Sequence, residues 1–86
     1  MNVVFTHKAK EDYDYWAEVN PKTRDKILEL LRNTAETPFK GIGKPEALKH
    51  KKPLWSRRIT QEHRLVYWVE GDTVTVVGCR YHYTNI

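Results

Sequence analysis

The sequence contains little cysteine and no long apolar run. Its single cysteine, Cys79, excludes an internal disulfide and provides no thiolate cluster for a structural zinc ion. Cys79 lies in the segment VTVVGCRY, so we expect it to pack as a small apolar residue. No stretch approaches the roughly 20 apolar residues that cross a bilayer, and the N-terminal segment lacks the basic-then-apolar order of a signal peptide. We therefore predict a cytoplasmic protein without membrane contact.

The length and composition predict one folded domain. The chain has 86 residues, of which 40% are hydrophobic and 12% aromatic. This composition suffices for one compact core and argues against disorder, and the length leaves no room for a separate regulatory domain. We assign residues 1–86 to that single domain.

Basic residues are concentrated in the middle of the chain. Residues 40–68 contain eight Lys/Arg and two Asp/Glu, a net charge of +6, whereas residues 1–39 and 69–86 each carry a net charge of −1. A focused positive field attracts polyanions. The middle segment therefore predicts a nucleic acid or an acidic protein as partner, and the alternative is an ordinary solvated surface.

Apolar spacing predicts two helices enclosed between strands. Residues 2–6 are β-branched and lack a helical period, which is typical of a strand. Helical spacing then begins at Ala9 and again after Asn20, a candidate N-cap, and Pro38 ends the second helix. The remaining elements are a basic loop over 37–53, in which EALKH forms a short strand or a helical turn, and strands over 54–60, 63–70 and 73–83. This order predicts an α+β fold, with two N-terminal helices packed on one face of a mostly antiparallel twisted sheet.

Cationic side chains in the last two strands are predicted to share one face of that sheet. Successive strand residues point to opposite faces. If Leu65 and Cys79 face the helices, then Arg64, Arg80 and His82 lie on the opposite face, which an antiparallel sheet can leave open to water.

This open face and the basic loop together predict a site for phosphodiester chemistry. Arginine offers a planar fork of donors to phosphate oxygens, and histidine is poised near neutral pH to protonate a leaving oxygen. Glu46 is the one acid between Glu36 and Glu62, which makes it the natural proton acceptor from an attacking hydroxyl. The histidines have no ligand-spaced partners, so we predict neither a metal nor a cofactor. The loop adds the cations Lys44, Lys49 and Lys51.

Four motifs carry a resemblance to a known family. They are DYDYW (12–16), TPFKGIGKPEALKH (37–50), WSRRIT with EHRLVY (55–67) and CRYHY (79–83). With these motifs the chain resembles the YoeB-like toxins, which belong to the RelE superfamily of ribosome-dependent mRNA interferases. The resemblance covers the chain through residue 83, and beyond it the chain adds residues 84–86.

The resemblance implies a fold of the microbial ribonuclease type, a homodimer, and neutralisation by an acidic YefM-like antitoxin. It also implies cleavage of mRNA in the ribosomal A site. The roles that it implies by motif position are general base for Glu46, transition-state stabilisation for Arg64, general acid for His82, and substrate contact for Lys49, Arg58 and Tyr83.

Such a set of residues supports attack of a ribose 2′-OH on the adjacent phosphate, a route open to RNA and closed to DNA, which lacks that hydroxyl.

Two rival functions remain: a non-catalytic module that binds RNA or an acidic protein, and a ParE-like gyrase poison on the same fold. Neither rival needs an acid–base pair. For the single residues, the structural alternatives are ion pairs of Glu46 with Lys44 or Lys49 and of Arg64 with Glu62 or Glu70.

Overall fold

A computed structural model describes residues 1–81 of the chain, and residues 82–86 lie outside the described part. The elements are β1 (Asn2–Phe5), α1 (His7–Val19), α2 (Pro21–Glu36), β2 (Glu46–Ala47), β3 (Trp55–Arg58), β4 (Arg64–Glu70) and β5 (Thr73–Gly78). This order confirms the predicted α+β class. Neither described helix is long and apolar enough to span a bilayer.

Both helices begin at capping residues. Thr6 Oγ1 accepts a hydrogen bond from the Ala9 N–H at 3.2 Å, and Asn20 Oδ1 accepts one from the Thr23 N–H at 3.4 Å. Pro21 occupies the first turn of α2, where its missing N–H costs nothing. Because Asn20 alone connects the two helices, they are held close together above the sheet.

The five strands form one mixed sheet in the order β1-β5-β4-β3-β2. The strands β2, β3, β4 and β5 pair antiparallel with their neighbours, whereas β1 runs parallel to β5. The prediction of a mostly antiparallel sheet is therefore confirmed. The parallel pair arises because the chain passes through both helices and three strands before it returns beside β1.

The core lies between the helices and one face of the sheet. α1 contributes Ala9 and Trp16, and α2 contributes Ile27 and Leu30. The sheet residues that meet them are Leu65, Tyr67, Val74, Val76 and Cys79. Cys79 is fully buried, which confirms its prediction as a packed apolar residue.

A β-bulge in β5 changes the face that its last residues occupy. Val66 pairs with Gly78 and Tyr67 pairs with Val76, so Val77 is an extra residue between the two pairs. Val76 and Cys79 therefore both enter the core although they are three positions apart. The prediction of a regular strand through residue 83 was wrong, because β5 ends at Gly78.

The end of β5 at Gly78 places Arg80 away from the open face. Its guanidinium carbon lies 3.6 Å from the centroid of the Tyr15 ring on α1. The prediction that Arg80 accompanies Arg64 was therefore wrong. Alternation from the buried Cys79 fails at Arg80 because it applies only within a strand, and the chain leaves the sheet after Gly78.

Candidate functional site

The sheet face opposite the helices carries the predicted base and two of the predicted cations. Glu46 of β2 pairs with Ser56 of β3, and Arg58 of β3 pairs directly with Arg64 of β4. Cross-strand partners share a face, and so do residues two apart on one strand. Glu46, Arg58 and Arg64 therefore project from one surface.

These side chains surround a cavity of about 300 Å³. Its lining residues are Lys44, Pro45, Glu46, Ser56, Arg58 and Arg64. Three of the six are cations and one is a carboxylate, so the cavity has a net positive charge. Glu46 and Arg58 are exposed and Arg64 is half-buried, which leaves the cavity accessible to a polymer that lies across the sheet.

The direct pairing of Arg58 with Arg64 is unfavourable on its own. Like charges placed opposite each other on neighbouring strands destabilise a sheet. Within residues 1–81, no carboxylate lies within ion-pair distance of either arginine, and Glu46 likewise forms no ion pair. A bound anion would relieve this repulsion, so the arrangement favours an anionic ligand over a structural ion pair.

Arg64 is held in place by the turn that precedes β4. Its Nη1 donates to the carbonyl oxygens of Thr60 at 2.7 Å, His63 at 3.0 Å and Gln61 at 3.1 Å. Its Nε and Nη2 make no hydrogen bond to any residue of the described part of the chain. One edge of the guanidinium is thus anchored while the other donors are available to a ligand.

Lys49 lies in a second cavity, beside the first. This cavity of about 360 Å³ is lined by residues 46–51. Glu46 lines both cavities, whereas Lys49 does not line the one that contains Arg58 and Arg64. The two cavities therefore adjoin at Glu46 and together contain Lys44, Lys49, Lys51, Arg58 and Arg64.

The predicted acid His82 and the predicted aromatic Tyr83 lie outside the described residues. Their placement beside Glu46 and Arg64 stays a prediction. Among residues 1–81, no three histidine, cysteine, aspartate or glutamate side chains are grouped as metal ligands would be.

Sequence reasoning missed Arg57, the neighbour of Arg58. Arg57 is fully buried on the helix side of the sheet. Its guanidinium donates to Thr37 O at 2.6 Å, Lys40 O at 3.0 Å and Ile42 O at 3.1 Å, and also to Asn33 Oδ1. Arg57 thus fixes the loop that leads into Lys44 and Glu46. The alternation in WSRR, which places Arg57 opposite to Arg58, was the available signal.

The burial of Cys79 has a measurable consequence at alkaline pH. Burial raises the pKa of the Cys79 thiol to about 12, and the Asp12 carboxylate adds to the shift. An unfolded chain releases that proton near its ordinary pKa of 9.0, so above that pH the unfolded state holds fewer protons than the folded state. The free energy of unfolding should therefore fall between pH 9 and about 12 by up to about 1.4 kcal/mol per pH unit.

Urea unfolding across this pH range, compared between the wild type and Cys79→Ala, measures the effect. The variant should lose stability less steeply, since other groups that titrate in this range, including Tyr67, are common to both proteins. If the free energy of unfolding fell equally with pH in the two proteins, the expectation would be contradicted.

Comparison with known proteins identifies the family of the chain. The family described as the YoeB-like toxin of bacterial type II toxin–antitoxin systems matches residues 5–83. The toxin YoeB of Escherichia coli K12 is 49% identical over 84 residues, which cover 96% of this chain and 100% of the relative.

Solved structures share the fold at similar identity. A YoeB/ParE toxin from Agrobacterium tumefaciens superposes with a TM-score of 0.93 at 45% identity, over 96% of this chain and all of that one. A YoeB dimer from Staphylococcus aureus gives a TM-score of 0.90 at 42% identity, and a heterotetrameric YoeB–YefM complex from the same organism gives 0.88 at 42%. Each covers 96% of this chain and 98% of the other. The chain belongs to the YoeB-like toxins of bacterial type II toxin–antitoxin systems.

Proposed function

We propose that this toxin is a ribosome-dependent endoribonuclease that cleaves mRNA in the A site. The observation that carries the proposal is the joint position of Glu46, Arg58 and Arg64 around one positively charged cavity. A carboxylate among cations supplies a proton acceptor next to a phosphate-binding surface. A surface that only binds RNA has no use for that carboxylate, because it repels the phosphates.

The reaction that we propose is attack of a ribose 2′-OH on the adjacent phosphorus. Glu46 takes the 2′-OH proton while the new P–O2′ bond forms, and the P–O5′ bond breaks as His82 gives a proton to the departing 5′-oxygen. The products are a 2′,3′-cyclic phosphate and a 5′-hydroxyl. A positioned acid or base each contributes about 10²–10⁴-fold.

Arg64 stabilises the charge that develops on the non-bridging phosphate oxygens. Its anchored Nη1 leaves Nε and Nη2 free of other partners among the described residues, which suits a donor whose ligand arrives only with the substrate. Arg58 and Lys49 contact the backbone on either side of Glu46, and Tyr83 contacts a base. The ribosome would hold the mRNA in a conformation that brings the 2′-OH in line with the phosphate.

We also propose two protein partners. The solved dimer and the YoeB–YefM complex of a related toxin support a homodimer and an acidic, YefM-like antitoxin for this chain. The net charge of +6 over residues 40–68 favours an acidic antitoxin segment that covers the same cavity as the RNA.

Mapping of mRNA ends in a bacterial translation extract tests the proposed reaction. With wild-type protein we expect new 5′-hydroxyl ends within codons that occupy the A site. His82→Ala should slow their formation by about 10²–10⁴-fold, because the leaving oxygen then lacks its acid. His7→Ala is the matched control, since His7 is exposed at the start of α1 and does not line the cavity.

Two outcomes would contradict the proposal. Ribosome or RNA binding without new ends would indicate a non-catalytic module, and stalled gyrase complexes with intact mRNA would indicate a gyrase poison. Undiminished cleavage by His82→Ala would exclude the proposed general acid.

A further inference from the structure

Side chains of α1, rather than a neighbouring strand, bind both backbone polar groups of Cys79. Asp12 Oδ2 accepts the Cys79 N–H at 3.0 Å, and the Trp16 indole Nε1–H donates to the Cys79 carbonyl oxygen at 2.8 Å. Asp12 and Trp16 are four residues apart on one helix face, so both reach the same residue. The chain therefore leaves the sheet after Gly78 along a course that α1 determines.

Two residues later the chain is held again, this time by β4 and the turn before it. The Tyr81 N–H donates to His63 Nδ1 at 2.6 Å, and the Arg64 N–H donates to the Tyr81 carbonyl oxygen at 3.1 Å. Tyr81 has a φ of +63°, a backbone conformation that a residue other than glycine adopts at a cost. These contacts hold that conformation in place.

The two anchor points are joined through Trp16. Its indole ring contacts the His63 ring edge-on, with ring centroids 4.7 Å apart, so one side chain bonds Cys79 and supports the acceptor of Tyr81. The segment 79–81 is thus fixed at four backbone groups immediately before His82, and one of these bonds comes from the backbone of Arg64.

Asp12 and Trp16 together form a clamp on Cys79, and packing alone does not explain why these two side chains are polar. Asp12 is only 8% exposed, and its charge is offset by Lys8 at 2.9 Å. A buried carboxylate is a costly way to hold a helix against a sheet, since an apolar residue of similar size would do so without desolvating a charge. The carboxylate and the indole instead fix the direction of the chain after Cys79, because each forms a hydrogen bond with one defined backbone atom of that residue.

We propose that Asp12 and Trp16 are positioning residues for the reaction proposed above: by fixing Cys79 they aim the following chain, and with it His82, at the phosphate. The proposal rests on the proposed function. Neither residue lines the cavity, so neither is a catalytic residue. Because a displacement of about 1 Å can cost a factor of 10² in rate, a misdirected chain end should slow the chemical step.

Single-turnover cleavage on programmed ribosomes tests this role with paired substitutions. Trp16→Phe removes the N–H donor and keeps an aromatic ring beside His63, and Asp12→Ala removes the acceptor of Cys79. Each should lower the rate at saturating ribosomes about 10-fold or more without changing the half-saturating ribosome concentration. Asp12→Asn should restore most of the rate, because its amide oxygen still accepts the Cys79 N–H. Ile27→Val, a destabilising change in α2, is the control and should leave the rate unchanged.

Two further measurements separate positioning from general destabilisation. In a His82→Ala background, Trp16→Phe should cause no additional loss of rate, since its effect acts through His82. A full additional 10-fold loss would overturn the proposal. Amide exchange at Cys79 and Tyr81 should be faster in Trp16→Phe than in Ile27→Val, and equal exchange at both amides would overturn it as well.

These results also separate the clamp from the proposed reaction. If His82→Ala cleaves like the wild type, the general-acid assignment fails, and the positioning role fails with it because it has no catalytic target. If His82→Ala is slowed as expected but Trp16→Phe and Asp12→Ala cleave at the wild-type rate, the positioning role alone is wrong.

Discussion

Replacement of Arg64 by alanine is expected to slow mRNA cleavage by about 10²–10³-fold, the usual cost of removing one preorganised donor to a developing negative charge. Its Nη1 is fixed by three carbonyl oxygens of the preceding turn, so the remaining donors are aimed before the substrate binds. Because this stabilisation grows as the phosphate gains charge, the loss should fall on the rate at saturating ribosomes.

Arg64→Lys separates charge from geometry. Lysine retains a positive charge but lacks the planar fork, so most of the loss should persist. Arg24→Ala is the matched control, because it removes the same charge from α2, where Arg24 pairs with Asp25. If Arg64→Ala and Arg24→Ala cleave equally fast in single-turnover assays, then Arg64 acts only through net charge and has no specific role in the transition state.

Much of the fold followed from local patterns in the sequence. The helical spacing and the N-cap at Asn20 each depend on a few neighbouring residues. Glu46 was expected in the basic loop beside the face that carries Arg64, and the pairing of β2 with β3 and of β3 with β4 brings the two residues to one surface.

The errors came where distant parts of the chain meet. The place of β1 beside β5 depends on a contact across about 70 residues, which no local pattern encodes. The chain leaves β5 after Gly78, and Arg80 therefore contacts Tyr15 on α1 instead of lying on the open face. This exit depends on Asp12 and Trp16, which bind Cys79 across 67 and 63 residues of sequence, and the segment VTVVGCRY does not reveal those contacts.

Arg57 and Arg58 have the same side chain but different surroundings. Alternation in WSRR places them on opposite faces of the sheet, and Arg57 is fully buried whereas Arg58 is exposed. Arg57 Nε donates to the Tyr67 hydroxyl at 3.2 Å, and that hydroxyl donates to Pro38 O at 2.7 Å. Burial raises the pKa of Tyr67, which keeps its hydroxyl protonated and able to donate.

The buried cation therefore takes the place of a hydrophobic residue under the loop. Around Gly41 and Gly43 the backbone has φ values of +121° and +78°, and a Cβ on Gly41 would lie 2.0 Å from the Asn33 oxygen that also binds Arg57. No side chain other than hydrogen fits that approach. The loop that places Lys44 and Glu46 at the cavity is thus held by hydrogen bonds to the Arg57 guanidinium.

Arg57→Ala is accordingly expected to lower the free energy of unfolding by about 3–5 kcal/mol, a large share of the roughly 5–15 kcal/mol typical of a domain. The substitution leaves the acceptors of Asn33, Thr37, Lys40 and Ile42 without their donor, and a lysine at position 57 cannot reach them all. Arg58→Ala is the control, because it removes the adjacent, exposed charge and should change stability by no more than about 0.5 kcal/mol. Urea unfolding measures both. Equal urea midpoints for the two variants would show that the loop adopts its conformation without the buried guanidinium. Another contact would then have to hold Glu46 at the cavity.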